Sequence, residues 1–354
     1  MEARLEQRLV NALKKVAPGT ELREALERII SARTGALIVI GDTENVMPLC
    51  DGGFGLDCGF IAQKLFELAK MDGAIIMDEG MTRISRANVH LVPDSSLPTS
   101  ETGMRHRTAE RVAKQTKALV ISISQRRDVV SLYIDDMKYV LADIRVILAK
   151  ADQALQTLER YKVRLDQVFT NLNTLELEDL VTLQDVANLL QRSEMVERVA
   201  GEIERYISEL GAEGRLIEMQ LEELMVGVRE DTLMVVRDYC LNKRAERARS
   251  ELAKLSSEDL LDFLKICRAL GYEGNIGILD FSVHPRGYRL LRKIPRLPIK
   301  VVNSIISKFG NLQGILQASI EDLDVVEGVG AVRAKAIWEG LKRIKEHSFL
   351  ERYV

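Results

Sequence analysis

Apolar positions change their spacing along the chain, and three zones follow from the changes. Residues 1–148 mix two periods. "TELREALERIISA" repeats apolar residues at helical spacing, whereas "GALIVIG", "GAIIM" and "ALVISIS" are short continuous apolar runs that suit buried strands. "VVSLYI" and "KYVLADI" predict further strands, and "IAQKLFELAKM" and "HRTAERVAKQT" predict helices between strands. The zone reads as an α/β domain with a central mixed sheet covered by helices.

After residue 148 the strand pattern stops. Leu155, Leu158, Tyr161, Leu165, Val168 and Leu172 share one helical stripe. Val186, Leu189, Leu190, Val196, Val199, Ile203 and Ile207 form another, ending near Gly211, and a third helix is expected from about Arg215 to Ala245. Stripes of this kind are core packing, so residues 149–283 read as an all-α spine. From 284 to 354 short helices alternate with Gly or Pro breaks, which marks a third domain.

Charge changes this picture at one end. Residues 284–354 hold 13 Lys and Arg against 7 Asp and Glu, a net +6 in a chain whose total is −3. A basic tail on an acidic body suits a polyanion partner for that end. Cys50, Cys58, Cys240 and Cys267 are scattered and form no CxxC pair, which argues against structural zinc and a disulfide framework and suits a reducing cytoplasm. No run of about 18 apolar residues predicts a membrane span, and "MEARLEQRLVNALKKV" is unlike a secretion signal.

Candidate chemistry sits in two stretches of the first zone. "SETGMRHRTAERVAKQT" predicts a helix capped by Thr102 or Ser100 with Gly103, with Arg105, His106 and Arg107 in its first turn. That end of a helix carries partial positive charge and prefers acids. Either Glu101 and Glu110 neutralise the arginines, or the negative charge arrives as a phosphate ligand held by N–H groups and guanidiniums. In "KMDGAIIMDEG", Asp72 and Gly73 precede a buried strand; they read as a plain turn, or as a metal ligand beside a glycine that lets a ligand approach the backbone. No P-loop or GxGxxG occurs, and "DGGFG" is too turn-like for a phosphate cradle.

Together "MDGAIIM" and "ETGMRHRTAERVAKQT" resemble the DGA and RHR motifs of diadenylate cyclases, and the three-zone order resembles the bacterial family of DNA integrity scanning proteins. The resemblance implies condensation of two ATP molecules into cyclic di-AMP and two pyrophosphates. It implies that Asp72 holds Mg²⁺ or Mn²⁺ and that Arg105, His106, Arg107 and Thr108 hold the triphosphate. By the same carry-over Gly73, Leu91 and the backbone at Met104 line the nucleotide pocket, and Ser124 reaches the phosphates. Gln125 stands where some relatives carry a basic residue, and His90 reads as structural. The resemblance further implies a homo-octamer of face-to-face tetramers.

In the tail, "VVEGVGAVRAKAIWEGL" predicts helix, Gly-Val-Gly hairpin, helix. Gly328 and Gly330 expose N–H groups, and Arg333 and Lys335 follow on the next helix, with Trp338 expected in the core. The stretch resembles the helix–hairpin–helix motif, which grips the DNA backbone without reading bases. "IPRLPIKVVNSIISKFG" resembles a degenerate first copy in which Pro295 and Pro298 replace the glycines. The alternative is a hairpin used only for packing. The family resemblance points to branched DNA such as recombination intermediates (Holliday junctions). Two rival readings of the whole remain at this level, a non-enzymatic DNA-binding scaffold and a phosphohydrolase or nucleotidyltransferase with another acceptor.

Overall fold

The computed structural model describes residues 2–126, 128–241 and 244–350, with side chains from 4 to 346 within those ranges. By internal contacts the chain divides into two compact units, 1–153 with 203–219 and 154–202 with 220–354.

The first unit is α/β. Helices α1 (Glu2–Val16) and α2 (Glu21–Ser31) precede strand β1 (Ala36–Ile40). Strands β2 (Cys50–Asp51) and β3 (Phe54–Gly59), helix α3 (Ala62–Leu68), strands β4 (Ala74–Met77) and β5 (Arg83–Leu91) and helix α4 (Met104–Thr116) follow. Strands β6 (Leu119–Ser124), β7 (Val129–Ile134) and β8 (Met137–Val140) complete the sheet. Its order is β2-β5-β4-β1-β6-β7-β8, with β3 also on β5. The β1–β4 pair is parallel and the other pairings are antiparallel, so the sheet is mixed.

Both faces of the sheet centre are covered, which is why its strands read as continuous apolar runs. Ala36, Ile38 and Ile40 of β1 pack with Leu13, Leu22, Leu26, Ile29 and Leu65 from α1, α2 and α3. Leu37 and Val39, pointing the other way, pack with Ala109, Val112 and Ala113 of α4. The start of α2 is fixed by a cap, with Thr20 Oγ1 accepting from Arg23 N at 3.1 Å.

Several expectations need correction. Strands β3 and β5 lie in stretches whose patterns predict a turn or no regular element. "KYVLADI" supplies only the last residues of β8, and "IAQKLFELAKM" only the seven of α3. The N-cap of α4 is Gly103, which makes no side-chain cap bond. Glu110 instead accepts from Thr99 Oγ1 at 2.5 Å and Ser100 N at 3.1 Å.

Helices α5 (Ile144–Glu178) and α6 (Leu183–Leu210) match the two long stripes, burying Leu155, Leu158, Leu165 and Leu172, then Val186, Leu189, Leu190, Val196 and Ile203. The expected third helix is broken. It comprises α7 (Arg215–Met225) and α8 (Val228–Tyr239), with Gly227 between them at φ 75°. Residues 242–243, inside the expected span, lie outside the described residues, and α9 (Ala245–Lys254) and α10 (Phe263–Ala269) follow.

The tail comprises α11 (Tyr288–Arg292), α12 (Ile299–Phe309), α13 (Leu312–Gln317), α14 (Ile320–Asp324) and α15 (Gly330–Leu350). Val302, Ile305, Leu323, Ala334 and Ile337 form its core. Within the second unit a buried ion pair, Arg289 with Glu176, joins α11 to α5. Tyr239 Oη of α8 donates to the same carboxylate at 2.7 Å. Asp238 accepts backbone N–H bonds from Gly287, Tyr288 and Arg289 at 2.7, 2.7 and 3.0 Å. The Arg289 and Glu176 charges persist at this depth because they pair with each other, whereas burial, with the nearby Glu176 charge, pushes the Asp238 carboxyl up to about 7 despite its three N–H bonds.

Candidate active site

The sheet topology gathers the first-zone candidates. Parallel pairing of β1 with β4 puts Gly35 and Gly73, which precede these strands, on one edge of the sheet. Antiparallel β6 ends there too, because Ala36 faces Ile123 and Ser124 follows. On β5, Val89 faces Ala74, and Leu91, buried two residues further along, pairs with Cys50 of β2.

Gly73 is tied into this edge from both sides. Its N–H donates to Asn88 Oδ1 at 3.2 Å. A Cβ at Gly73 would meet the backbone of Asn88 and stand 2.6 Å from Val89 N, so no side chain fits. Asp72 is exposed and forms no ion pair or hydrogen bond with a described residue. Its lone carboxylate suits a divalent ion that arrives with nucleotide phosphates and keeps several waters. Among the described residues no three His, Cys, Asp or Glu converge, so a cage built wholly of protein ligands does not fit.

Helix α4 brings its basic first turn to the same edge. A Cβ on Gly35 would run into the Arg105 guanidinium, so Arg105 lies directly over a bare stretch of backbone beside Ile123 O. Met104 is the first residue of α4 and is 78% exposed; Arg105, His106, Arg107 and Thr108 are half-buried. Neither guanidinium forms an ion pair or side-chain hydrogen bond with a described residue.

Both carboxylates that could have neutralised these arginines are engaged elsewhere. Glu101 lies 2.5 Å from Lys138 Nζ and accepts from Tyr133 Oη at 3.0 Å. Glu110 lies 2.8 Å from Lys114 Nζ. Burial alone would push the Glu101 carboxyl up, but the hydrogen bonds from Lys138 and Tyr133 outweigh it and hold it below the usual range. His106 Nδ1 stands 2.9 Å from Tyr133 Oη. Ser124 is half-buried at the end of β6; Gln125 and Arg126, in the following turn, are exposed. His90 is exposed on β5, its backbone in register with Asp51.

Sequence reasoning missed Gly35, Asn88, Tyr133 and Lys138. One signal for Gly35 was legible: "GALIVI" and "DGAIIM" open alike, each with Gly-Ala before an apolar strand. Nothing local marks Asn88 or Lys138, whose roles come from strand pairing.

The tail candidates lie in the second unit. Gly328, between α14 and α15, and Gly330, the first residue of α15, adopt φ 81° and 66°, a tight turn that glycine tolerates best. Arg333 Nη1 folds back to Gly328 O at 2.7 Å, so it braces the hairpin while remaining exposed. Lys335 is exposed. Trp338 is 39% exposed with Lys342 Nζ 5.4 Å from its ring centre, and is not a core residue as expected. Pro298 caps α12 after a turn in which Arg296 takes φ 60°.

No helix among the described residues is long and apolar enough to cross a membrane. Two family models match, the nucleotide-binding region of the DisA bacterial checkpoint controller over residues 23–137 and its linker region over 141–279. A DNA integrity scanning protein DisA from Acetivibrio thermocellus is 52% identical over 353 residues, 99% of this chain and 98% of that protein. The protein of the same name from Carboxydothermus hydrogenoformans is 56% identical over 346 residues, 97% and 98% of the two chains. That from Symbiobacterium thermophilum is 55% identical over 343 residues, covering 96% and 97%. At this identity over nearly the whole length, the chain belongs to the DisA family of DNA integrity scanning proteins.

Proposed function

We propose that the chain condenses two ATP molecules into cyclic di-AMP and two pyrophosphates, and that its tail binds branched DNA and modulates the synthesis. Family membership makes the chain a diadenylate cyclase, a nucleotidyltransferase. The observation that carries the substrate reading is the pair of guanidiniums at the N-terminus of α4, left without carboxylate partners among the described residues while Glu101 binds Lys138 and Glu110 binds Lys114.

Each 3′-hydroxyl attacks the α-phosphorus of the other nucleotide; a P–O bond forms, the bond to the β-phosphate bridge breaks, and the hydroxyl proton leaves to solvent. Arg105 and Arg107, with the N–H groups of the first turn, would hold the triphosphate and neutralise charge growing on pyrophosphate. His106 and Thr108 would add phosphate contacts, and Ser124 would reach the same group from β6. Gly73, pressed against the Asn88 and Val89 backbone, would bring the start of β4 to the nucleotide, which would lie beside Leu91 and Met104. Asp72 would hold Mg²⁺ or Mn²⁺, which when bound screens phosphate charge and acidifies the hydroxyl.

One such edge holds one nucleotide, so two protomers must face each other; a homo-octamer built of such pairs satisfies this. On this reading residues 1–148 form the cyclase, 149–283 the spine and 284–354 the DNA-binding domain. Gly328, Gly330, Arg333 and Lys335 would grip phosphates without reading bases, and a branched shape such as a four-way junction would be the target.

The test is to incubate the protein with ATP and Mg²⁺ or Mn²⁺ and identify products by mass. Cyclic di-AMP with pyrophosphate is expected; ADP or linear dinucleotides would refute the reading. Asp72→Asn should lower the rate by several powers of ten while leaving the fold intact.

A further inference from the structure

The chain of contacts behind His106 fixes the direction of its hydrogen bonds. Lys138 Nζ is 2.5 Å from Glu101 Oε1, and Tyr133 Oη is 3.0 Å from the same oxygen. With an ammonium against it, Glu101 is a carboxylate and can only accept. The single hydroxyl proton of Tyr133 therefore goes to Glu101. At the other side of that hydroxyl, His106 Nδ1 is 2.9 Å from Tyr133 Oη. Tyr133 has no second proton to give, so Nδ1 must carry one and donate it.

We propose that Tyr133 and Glu101 are positioning residues that hold His106 in its Nδ1–H form, leaving Nε2 as the nitrogen that meets a phosphate. This deepens the cyclase reading and rests on it for the identity of the phosphate. The parts come from four places in the fold: His106 from α4, Tyr133 from β7, Lys138 from β8 and Glu101 from the segment before α4. Tyr133 is 1% exposed and packed against Ala109 and Val112 of α4, so its hydroxyl is held rather than sampled. The His106 and Tyr133 rings are tilted by 57°, so they meet through the hydrogen bond and not by stacking.

Arg105 and Arg107 flank His106 on the first turn of α4, and Glu110 follows about one turn on. The relay acts on which nitrogen bears the proton. A neutral imidazole left alone prefers its proton on Nε2, so the relay reverses the ordinary choice and presents a lone pair or, on protonation, an N–H at Nε2.

The test uses the full chain labelled with ¹⁵N-histidine and magic-angle-spinning spectra, which tolerate a large assembly. The chain has 4 histidines, and His106→Gln identifies the signal by its loss. At about pH 8 without nucleotide, wild type should show a protonated Nδ1 and an unprotonated Nε2. Tyr133→Phe keeps the packed ring and should shift the proton to Nε2; Glu101→Gln should leave a mixture. A wild-type signal with the proton on Nε2, or no change in Tyr133→Phe, would overturn the proposal.

Kinetics separate positioning from mere packing. Tyr133→Phe should cost on the order of tenfold in kcat/KM in the wild-type background and less than about twofold beside His106→Gln, because it acts through that ring. Equal losses in both backgrounds would overturn the proposal. The tautomer readout needs no ATP, so absence of a cyclic product would sink the cyclase reading without touching the relay.

Discussion

Lys138 Nζ lies 2.5 Å from Glu101 Oε1, and that pairing settles which partner the arginines of α4 do not have. A glutamate just ahead of a helix that opens on Arg105 and Arg107 would ordinarily be read as their counter-charge; here β8 claims it. Changing Arg105 and Arg107 to Ala together should therefore leave apo stability level or raise it by a few tenths of a kcal/mol, since positive charge leaves a positive helix end. ATP affinity should fall by about two powers of ten or more, at about 1.5–3 kcal/mol for each charge-assisted hydrogen bond removed. Calorimetric titration with ATP and a thermal melt of the apo protein check both halves. A large drop in apo melting temperature would show the arginines to be structural.

Gly35 and Gly73 sit on the same edge yet should respond differently to a methyl group. At Gly73 a Cβ meets the backbone of Asn88 and Val89, which cannot move without opening the β4–β5 pairing. Gly73→Ala should cost about 1–3 kcal/mol of stability. At Gly35 the obstacle is the far end of the Arg105 side chain, and the next atom, Ile123 O, is 3.1 Å away and needs a small shift. Gly35→Ala should melt near wild type while losing about as much ATP affinity as Arg105→Ala. Equal melting losses in the two variants would show the Gly35 platform to be as rigid as the strand pair.

Glu110 supplies a pH test. Burial pushes its carboxyl up, but hydrogen bonds from Lys114 and Thr99, with the Lys114 charge and Ser100 N–H, leave it below its ordinary value. A group whose folded value is depressed gives stability that is complete above its unfolded value and disappears as pH falls through the folded one. Glu110→Gln should therefore lower the melting temperature by a constant amount from about pH 8 to about pH 5. The gap should close below the unfolded value of 4.5. A gap that stayed constant down to about pH 3 would mean that the charge contributes nothing.

The strands buried on both faces were legible because a continuous apolar run as short as Ala36–Ile40 fits a sheet covered by helices on either side. Strand β5 was not. It alternates Ile84, Ala87, Val89 and Leu91, all buried, with Arg83, Arg86 and His90, and the beat slips where its pairing with β4 shifts register. Strand β3 hid behind glycines: Gly53 takes φ 67° against the Ala87 and Asn88 carbonyls, so a stretch that looks like a turn is the entrance to a strand. At the site, Asp72 and the Arg105–Arg107 turn could be found from sequence because motif and element coincide. The relay through Tyr133 to Glu101 and Lys138 could not, since it joins residues far apart in the chain through strand order alone. The break at Gly227 was visible as a letter, but helical propensity on both sides masked it.

The tail offers the last prediction. Gly330 takes φ 66° at the first residue of α15, and no heavy atom stands within 4 Å of where its Cβ would be. Gly330→Glu is therefore accommodated sterically, at roughly 1–2 kcal/mol for the left-handed backbone. Its carboxylate would project beside the Gly328–Gly330 turn whose N–H groups are proposed to meet phosphate, and like charge would oppose binding. Four-way-junction DNA should bind wild type with a strong salt dependence and Gly330→Glu at least about tenfold more weakly. If the tail modulates the cyclase, the junction should suppress cyclic di-AMP output in wild type and not in Gly330→Glu, while the two proteins make product equally without DNA. A coupling of about 1–3 kcal/mol is enough for a change of roughly 5–150-fold. The measurement is a titration of junction DNA against product formation for both proteins at fixed salt. Tight binding with an unchanged wild-type rate, or equal suppression of both, would show that the hairpin does not carry the coupling.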